Sequence, residues 1–236
     1  MFRTKSILTT FMALLCFLFS CSRNDELSMQ PTEGYPRFET VDEVMQLLSD
    51  KCLDTISFRR GEIVADIGAG NGYLEAMLGM FHDDLTFFVQ DIDSSVCNQA
   101  AVDEEVKYYE GILGKPFSCR FFAVNGTHWE SGLPNIEFDR ILMLWTFQYL
   151  KEPRIFITDL RSSLREGGFL YVINPEQDYE YGLELKEKYG WNGFTVERQI
   201  SEIIDCGFTL ISFARNYEDN QQPYIMVFQK DHSPQS

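Results

Sequence analysis

Positive charge is scarce in this chain of 236 residues. Lysine and arginine together number 20, against 36 aspartate and glutamate residues, which gives a formal net charge of −16. A protein this acidic is repelled by nucleic acid phosphates and by anionic lipid surfaces. The composition therefore argues against nucleic acid as a substrate.

Cysteine is also sparse and irregularly placed. Beyond residue 36 there are four, which are Cys52, Cys97, Cys119 and Cys206. Their spacing matches no zinc pattern, and four are few for a disulfide scaffold. We interpret them mostly as buried small apolar side chains, although an oxidising compartment would permit a bridge. No metal site is predicted.

The apolar stretch Ile7 to Phe19 is too short to span a bilayer as a mature helix. With Arg3 and Lys5 ahead of it, it has the pattern of a signal peptide that leaves the N-terminus inside and exports the domain. Removal of residues 1–20 would take away two positive charges and no negative ones, so the net charge would become −18.

Residues 18–21, Leu-Phe-Ser-Cys, resemble the lipobox of bacterial lipoproteins, in which cleavage before the cysteine leaves it lipid-modified, here Cys21. A plain signal peptide or an uncleaved anchor is the alternative. Ser22, where an aspartate would favour inner-membrane retention, favours the outer membrane. The polar residues 21–36 are then a lipid-anchored flexible tether, and residues 37–236 form a single domain.

The most informative stretch is a strand followed by a glycine turn. The apolar run Ile63 to Ile67 predicts a buried strand, Gly68, Gly70 and Gly72 alternate after it, and a helix begins near Tyr73. Glycines lack a Cβ and let a ligand lie against the main chain. The N–H groups of the helix would meet a carboxylate or phosphate. The turn therefore predicts a nucleotide-like pocket.

Other glycine loops fit this stretch less well. A phosphate-binding Walker loop needs Gly-Lys-Ser/Thr, but Tyr73 and Leu74 follow Gly72. The dinucleotide-binding pattern needs a Gly or Ala where Tyr73 stands, which weakens that alternative and leaves it open. A tight turn without a ligand is the third alternative.

The pattern Asp66-x-Gly68-x-Gly70-x-Gly72 resembles the first motif of the class I S-adenosylmethionine-dependent methyltransferases. The resemblance implies that these residues lie beside the amino-acid part of S-adenosylmethionine. It extends from about residue 58 to residue 174, and more faintly to the end of the chain.

A second site follows the next apolar run, Leu85 to Gln90, which ends in Asp91-Ile92-Asp93. The two strands and the helix between them predict a right-handed βαβ unit. A carboxylate here could accept hydrogen bonds from ribose hydroxyls. Asp91 matches the acidic residue of the family's second motif, and Ile92 is assigned to the same site. A helix cap or a solvated acid is the alternative for Asp91, and Asp93 is a candidate cap of the next helix.

The third strand, Cys119 to Val124, precedes Asn125, Gly126 and Thr127. Asn-Gly alone is typical of a hairpin turn. The family commonly has Gly-Asp or Gly-Asn here, whose side chain reaches the adenine amine. The resemblance thus assigns Gly126 and Thr127 to the cofactor site, although a hydroxyl is a shorter and weaker partner.

The resemblance implies a Rossmann-like, doubly wound, three-layer α/β/α fold with seven mostly parallel strands and an antiparallel last strand, and the remaining pattern fits it. The other predicted elements are a helix within residues 38–57, strands Phe138–Trp145, Phe169–Asn174, Phe208–Phe213 and Tyr224–Lys230, and helices Pro153–Leu164, ended by Gly167-Gly168, and Val196–Gly207.

A methyltransferase needs no obvious catalytic dyad, because S-adenosylmethionine carries its own activated methyl group and the protein has only to align donor and acceptor and exclude water. No Asn-Pro-Pro-Tyr motif follows the fourth strand, which argues against amino-methylation of nucleobases or glutamine. We therefore expect a small-molecule acceptor. The acceptor-side candidates, placed only by lying beyond strand ends, are Trp145, Gln148, Tyr149, Asn174 and Glu176.

One conflict stays open at the level of sequence. S-adenosylmethionine is a cytoplasmic metabolite, whereas the leader exports this domain. A methyltransferase with an unrecognised cofactor supply is the first interpretation. The alternatives are a domain that binds another nucleoside or small ligand, and a non-catalytic envelope lipoprotein that uses the fold for protein interaction.

Overall fold

The computed structural model describes residues 35–174, 195–215 and 223–232. The predicted signal peptide, Cys21 and the acceptor-side candidate Glu176 lie outside the described residues. Within the described ranges, no helix combines the length and the apolar character that crossing a bilayer requires.

The described strands form one seven-stranded sheet in the order β3-β2-β1-β4-β5-β7-β6. Strands β1 to β5 pair in parallel, and β7 lies antiparallel between β5 and β6. This confirms the predicted fold. The strands are β1 (Ile63–Ile67), β2 (Thr86–Asp91), β3 (Arg120–Asn125), β4 (Phe138–Leu144), β5 (Leu164–Asn174), β6 (Phe208–Ala214) and β7 (Tyr224–Lys230).

Helices cover both faces of the sheet. Val44 and Met77 pack on one face, and Phe156 and Ile203 pack on the other. The α-helices are α1 (Val41–Asp50), α2 (Tyr73–Gly79), α3 (Gln99–Leu113), α4 (Pro153–Ser163) and α5 (Val196–Ile204), and short 3-10 helices span Leu53–Thr55 and Phe147–Tyr149.

Helix α1 begins where its cap places it. The Thr40 hydroxyl accepts from the Glu43 N–H at 3.2 Å, and the Glu43 carboxylate accepts from the Thr40 N–H at 3.0 Å. Such a reciprocal box satisfies two N–H groups that the helix leaves unpaired. The helix ends at Asp50 and Cys52 follows at φ 58°, so the α-helix is shorter than the predicted range 38–57.

Two predicted helix ends were wrong. Helix α4 ends at Ser163, because Leu164 is buried and pairs with Phe138 as the first residue of β5, so Gly167 and Gly168 lie inside a strand. Helix α5 ends at Ile204, before the predicted Gly207.

Candidate functional site

The glycine turn and the end of β2 meet at one edge of the sheet. Strands β1 and β2 are parallel, with Ile67 beside Gln90. The N–H groups of Gly68 and Ala69 both donate to the Gln90 carbonyl, at 2.8 and 2.9 Å. The carboxyl ends of parallel strands at such a position form the crevice in which open α/β sheets bind ligands.

The protein's own residues crowd the Cβ positions of two of the three glycines. All three have positive φ, between 60° and 82°. A Cβ on Gly68 would lie 2.3 Å from the Thr146 hydroxyl, and one on Gly72 would lie 3.2 Å from Val89. Gly70 differs, because its Cβ position is 2.2 Å from the hydroxyl of Tyr35. The sequence pattern assigned Tyr35 to the tether, yet it packs on the domain.

Asp91 joins the end of β2 to the glycine turn. Its Oδ2 accepts from the Gly70 N–H at 3.0 Å, and its Oδ1 accepts from the Asp93 N–H at 2.9 Å. Each carboxylate oxygen has a further lone pair, so Asp91 can still accept from a hydroxyl. Ile92 is 44% exposed beside it. The structure therefore brings Asp91, Ile92 and the turn together, and their contact with a cofactor stays a prediction.

Asp93 does not cap the next helix. The cap of α3 is Asn98, whose side chain accepts from the Ala101 N–H at 3.1 Å. Asp93 instead accepts from the Ser95 N–H at 2.9 Å. The chain makes this extra turn before the helix begins, and the prediction did not include it.

A buried pair of acids lies beneath the turn. Asp66 is 2% exposed and Glu75, in the first turn of α2, is fully buried. Among the described residues, Asp66 Oδ1 and both Glu75 carboxyl oxygens meet no hydrogen-bond donor outside the pair itself. Burial first, and then the neighbouring Glu75 charge, raise the pKa of Asp66 well above its usual range. Two carboxyls this close in a dry site cannot both ionise, so the pair holds a proton at neutral pH.

Gly126 and Thr127 form part of the loop after β3. A Cβ on Gly126 would lie 2.3 Å from the Gln90 side-chain nitrogen, so a larger residue does not fit. The Thr127 hydroxyl accepts from the Trp129 and Glu130 N–H groups at 3.1 and 3.2 Å. A contact with an adenine amine would have to replace one of these two bonds.

The loop after β4 lies next to the turn through the contact of Thr146 with Gly68. Trp145 has φ 56°, is 43% exposed, and donates its N–H to the Ile173 carbonyl at 2.7 Å. Tyr149 is 42% exposed. These two exposed aromatic residues lie on the loop that adjoins the turn.

Gln148 and Asn174, the other described acceptor-side candidates, are buried. Gln148 donates to the Trp145 carbonyl at 2.7 Å, and Asn174 donates to the Gln199 side chain at 2.9 Å. Both bonds hold the protein's own structure, so these two side chains support the loop and strand end from below.

Sequence reasoning missed Lys51. Its ammonium lies 3.3 Å from the centre of the Trp145 ring, and the residue is 8% exposed. Burial lowers the pKa of Lys51 to about 8. Only the folded chain brings this end of α1 to Trp145, and no local pattern signals it. Glu75 was missed as well, and its signal was an acid among the apolar residues of α2.

The described edge of the crevice is otherwise acidic, with Asp66, Glu75, Asp91 and Asp93 on the two strands and the turn. No three His, Cys, Asp or Glu side chains gather as a metal site within residues 35–174, 195–215 and 223–232. Acidic side chains at this edge favour a positively charged ligand over an anionic one.

We compared the chain with known protein families, curated proteins and solved structures. No protein-family model and no curated protein matches the sequence. Among solved structures, an S-adenosylmethionine-dependent methyltransferase from Aquifex aeolicus is 16% identical, with a TM-score of 0.55 over 82% of this chain and 99% of that one. The fold is that of the S-adenosylmethionine-dependent methyltransferases.

Two further structures with this methyltransferase fold are similar at the same level. An S-adenosylmethionine-dependent methyltransferase from Methanosarcina mazei is 15% identical, with a TM-score of 0.55 over 75% of this chain and 95% of that one. The magnesium protoporphyrin IX methyltransferase of Synechocystis PCC 6803, solved with bound S-adenosylhomocysteine, is 14% identical, with a TM-score of 0.54 over 81% and 83%. At such identities the likeness establishes the fold.

Proposed function

We propose that this protein is an S-adenosylmethionine-dependent methyltransferase that acts on a small-molecule acceptor. The observation that carries the proposal is the bond from the Gly70 N–H to the Asp91 carboxylate, which sets the glycine turn and an acid side by side at the carboxyl ends of adjacent parallel strands. The shared fold of known methyltransferases supports it.

The residues present fit this cofactor. The three atoms nearest to the Cβ position of Gly70 all belong to Tyr35, so displacement of this one side chain would expose the main chain there to the amino-acid part. Asp91 keeps lone pairs for the ribose hydroxyls. The buried Asp66 and Glu75 pair, which shares one proton, leaves negative potential below the turn for a ligand with an ammonium and a sulfonium. When bound, the cofactor supplies an activated methyl group.

The protein itself would then hold the two reactants and shield them from water. The positive-φ backbone of the turn fixes one partner, and the exposed rings of Trp145 and Tyr149 give an apolar surface on which the acceptor would lie. Alignment of two reactants and exclusion of water are sufficient for such a transfer. A small acceptor also agrees with the acidic composition, which disfavours nucleic acid.

We propose that the domain works in the bacterial cell envelope, anchored through lipid on Cys21, with the outer membrane as its address. The support is the sequence of the leader and the Ser22 that follows the cysteine. Activity there needs a supply of S-adenosylmethionine outside the cytoplasm.

Calorimetric titration of the full-length chain with S-adenosylmethionine tests the proposed cofactor. Charge-assisted hydrogen bonds contribute about 1.5–3 kcal/mol. Asp91→Ala should therefore weaken binding at least about tenfold. Gly70→Val should weaken it further, because a branched Cβ would fill the ligand's place and oppose the positive φ.

Asp93→Asn is the matched control, since it changes the neighbouring acid and keeps an acceptor for the Ser95 turn. It should weaken binding much less than Asp91→Ala, because it removes a nearby charge and not the proposed ribose acceptor. If the unmodified chain does not bind at millimolar ligand, the proposal fails and the envelope interaction module takes its place. If Asp91→Ala binds normally, only the assignment of the ribose contact fails.

A further inference from the structure

The space beside Gly70 is filled by the chain itself. The Tyr35 hydroxyl lies 2.2 Å from the position that a Cβ on Gly70 would take, and the Tyr35 ring stacks on Tyr73 with centroids 5.2 Å apart and planes at 30°. At Gly68 and Gly72 the corresponding space is taken by residues of β2, α3 and the β4 loop. At Gly70 the three nearest atoms all belong to Tyr35, a side chain from the N-terminal segment.

The hydroxyl of Tyr35 also lies within the field of the acids at the end of β2. Burial, followed by the charges of Asp91 and Asp93, raises the pKa of Tyr35 to about 12. The phenol is therefore neutral at physiological pH. A neutral group gains little from these carboxylates, whereas a cationic ligand in the same place would gain an attractive interaction.

The segment that carries Tyr35 is strapped to the domain by Arg37. The Arg37 guanidinium pairs with Glu104 at 2.7 Å and with Glu105 at 3.1 Å, and it stacks over the Tyr108 ring at 4.8 Å. Glu105 also accepts from the Asn71 side chain at 2.9 Å, which connects the strap to the glycine turn. The contacts that hold Tyr35 in the crevice therefore lie outside the crevice.

We propose that Tyr35 is a plug, which occupies the place of the cofactor's amino-acid part beside Gly70 and has to move out before the cofactor binds. This rests on the proposed function and adds a regulation of the same site. Since ligand binds only the unplugged form, the apparent affinity is reduced by the fraction of molecules in which Tyr35 is displaced. The strap at Arg37 sets that fraction without touching the ligand.

Titration of full-length variants with S-adenosylhomocysteine tests the plug. Tyr35→Ala removes the ring and should tighten binding by about three- to tenfold, which corresponds to the stacking energy typical of an aromatic pair. Tyr35→Phe keeps the ring and should stay within about twofold of the unmodified chain. Arg37→Ala loosens the strap and should tighten binding in the same direction, by about two- to threefold.

Phe213→Ala removes a partly exposed aromatic residue from edge strand β6 and controls for the loss of a ring. It should leave affinity unchanged, and thermal unfolding checks the fold of every variant. Tighter binding by both Tyr35→Ala and Arg37→Ala supports the plug. Equal or weaker binding by Tyr35→Ala overturns it and leaves the proposed function standing. Absence of binding in every variant overturns the proposed function, and the plug with it.

Discussion

Replacement of Asp66 by asparagine should stabilise the protein. Asp66 and Glu75 are almost completely buried, and three of their four carboxyl oxygens meet no donor outside the pair among the described residues. An asparagine has nearly the same shape, removes one acid, and offers an N–H to Glu75. A buried polar group without a partner costs about 1–3 kcal/mol. Asp66→Asn should thus raise the free energy of unfolding by about this amount at pH 8.

The pH dependence of stability provides a second test of the predicted stabilisation. The pKa of Asp66 is raised in the folded protein, chiefly by burial, while in the unfolded chain it has its ordinary value of about 3.9. Above pH 4 the folded state therefore holds more protons than the unfolded state. Stability falls as pH rises from about 4 through the raised pKa. The stability of Asp66→Asn should fall less steeply with pH, so its gain in stability over the unmodified chain should be larger at pH 8 than at pH 4.

Urea unfolding at pH 4, 6 and 8 measures both quantities. Asp139→Asn is the control, because Asp139 has the usual partners of an acid, the Arg165 guanidinium at 2.6 Å and the Ile63 N–H at 2.8 Å. It should not stabilise the protein at pH 8. If Asp66→Asn is destabilising at pH 8, or if its pH profile is parallel to that of the unmodified chain, the account of the acid pair is wrong.

Three other predictions concern separate regions. Burial lowers the pKa of Lys51 to about 8, so the free energy of unfolding should rise with pH between about 8 and 10.4. Lys51→Met should flatten that rise and add about 1–2 kcal/mol at pH 7. If urea unfolding gives the variant and the unmodified chain the same slope of stability against pH, this prediction is wrong. Glu62 and Arg140 form a buried ion pair at 2.6 Å. Glu62→Gln and Arg140→Met should each lower the free energy of unfolding by about 3–5 kcal/mol, and the double variant should lower it by less than the sum. Additive losses would show that the two side chains are not coupled. Labelled palmitate should enter the bacterially expressed chain and be lost in Cys21→Ser; an unlabelled product would remove the lipoprotein hypothesis.

The parts of the fold that the sequence predicted well depend on local pattern. Strands β1 and β7 have the predicted bounds, because apolar runs of that length between turn residues leave few alternatives. The glycine turn was equally predictable, since alternate glycines indicate backbone conformations with positive φ. The end of α4 was not, because Leu164 leaves the helix for a ladder with Phe138, a residue 26 positions earlier in the chain.

The missed site residues have long-range partners. Tyr35 stands between Gly34 and Pro36 in a polar stretch, and only the folded chain brings it to Gly70. Lys51 meets Trp145 across almost a hundred residues. Glu75 was the nearest to being predictable, because a glutamate within an apolar helix face needs a reason. Periodicity identifies an element and its buried side, but it carries no information on which distant side chain fills a crevice.

The central claim is that the crevice at the carboxyl ends of β1 and β2 binds S-adenosylmethionine. Amide chemical shifts of the isotopically labelled chain, followed while S-adenosylhomocysteine is added, test it most directly. We predict saturable shifts concentrated at Gly68, Gly70, Gly72 and the backbone of Asp91 and Ile92, with little change in β6. Absence of shifts at millimolar ligand, or saturable shifts confined to another part of the sheet, would contradict the claim.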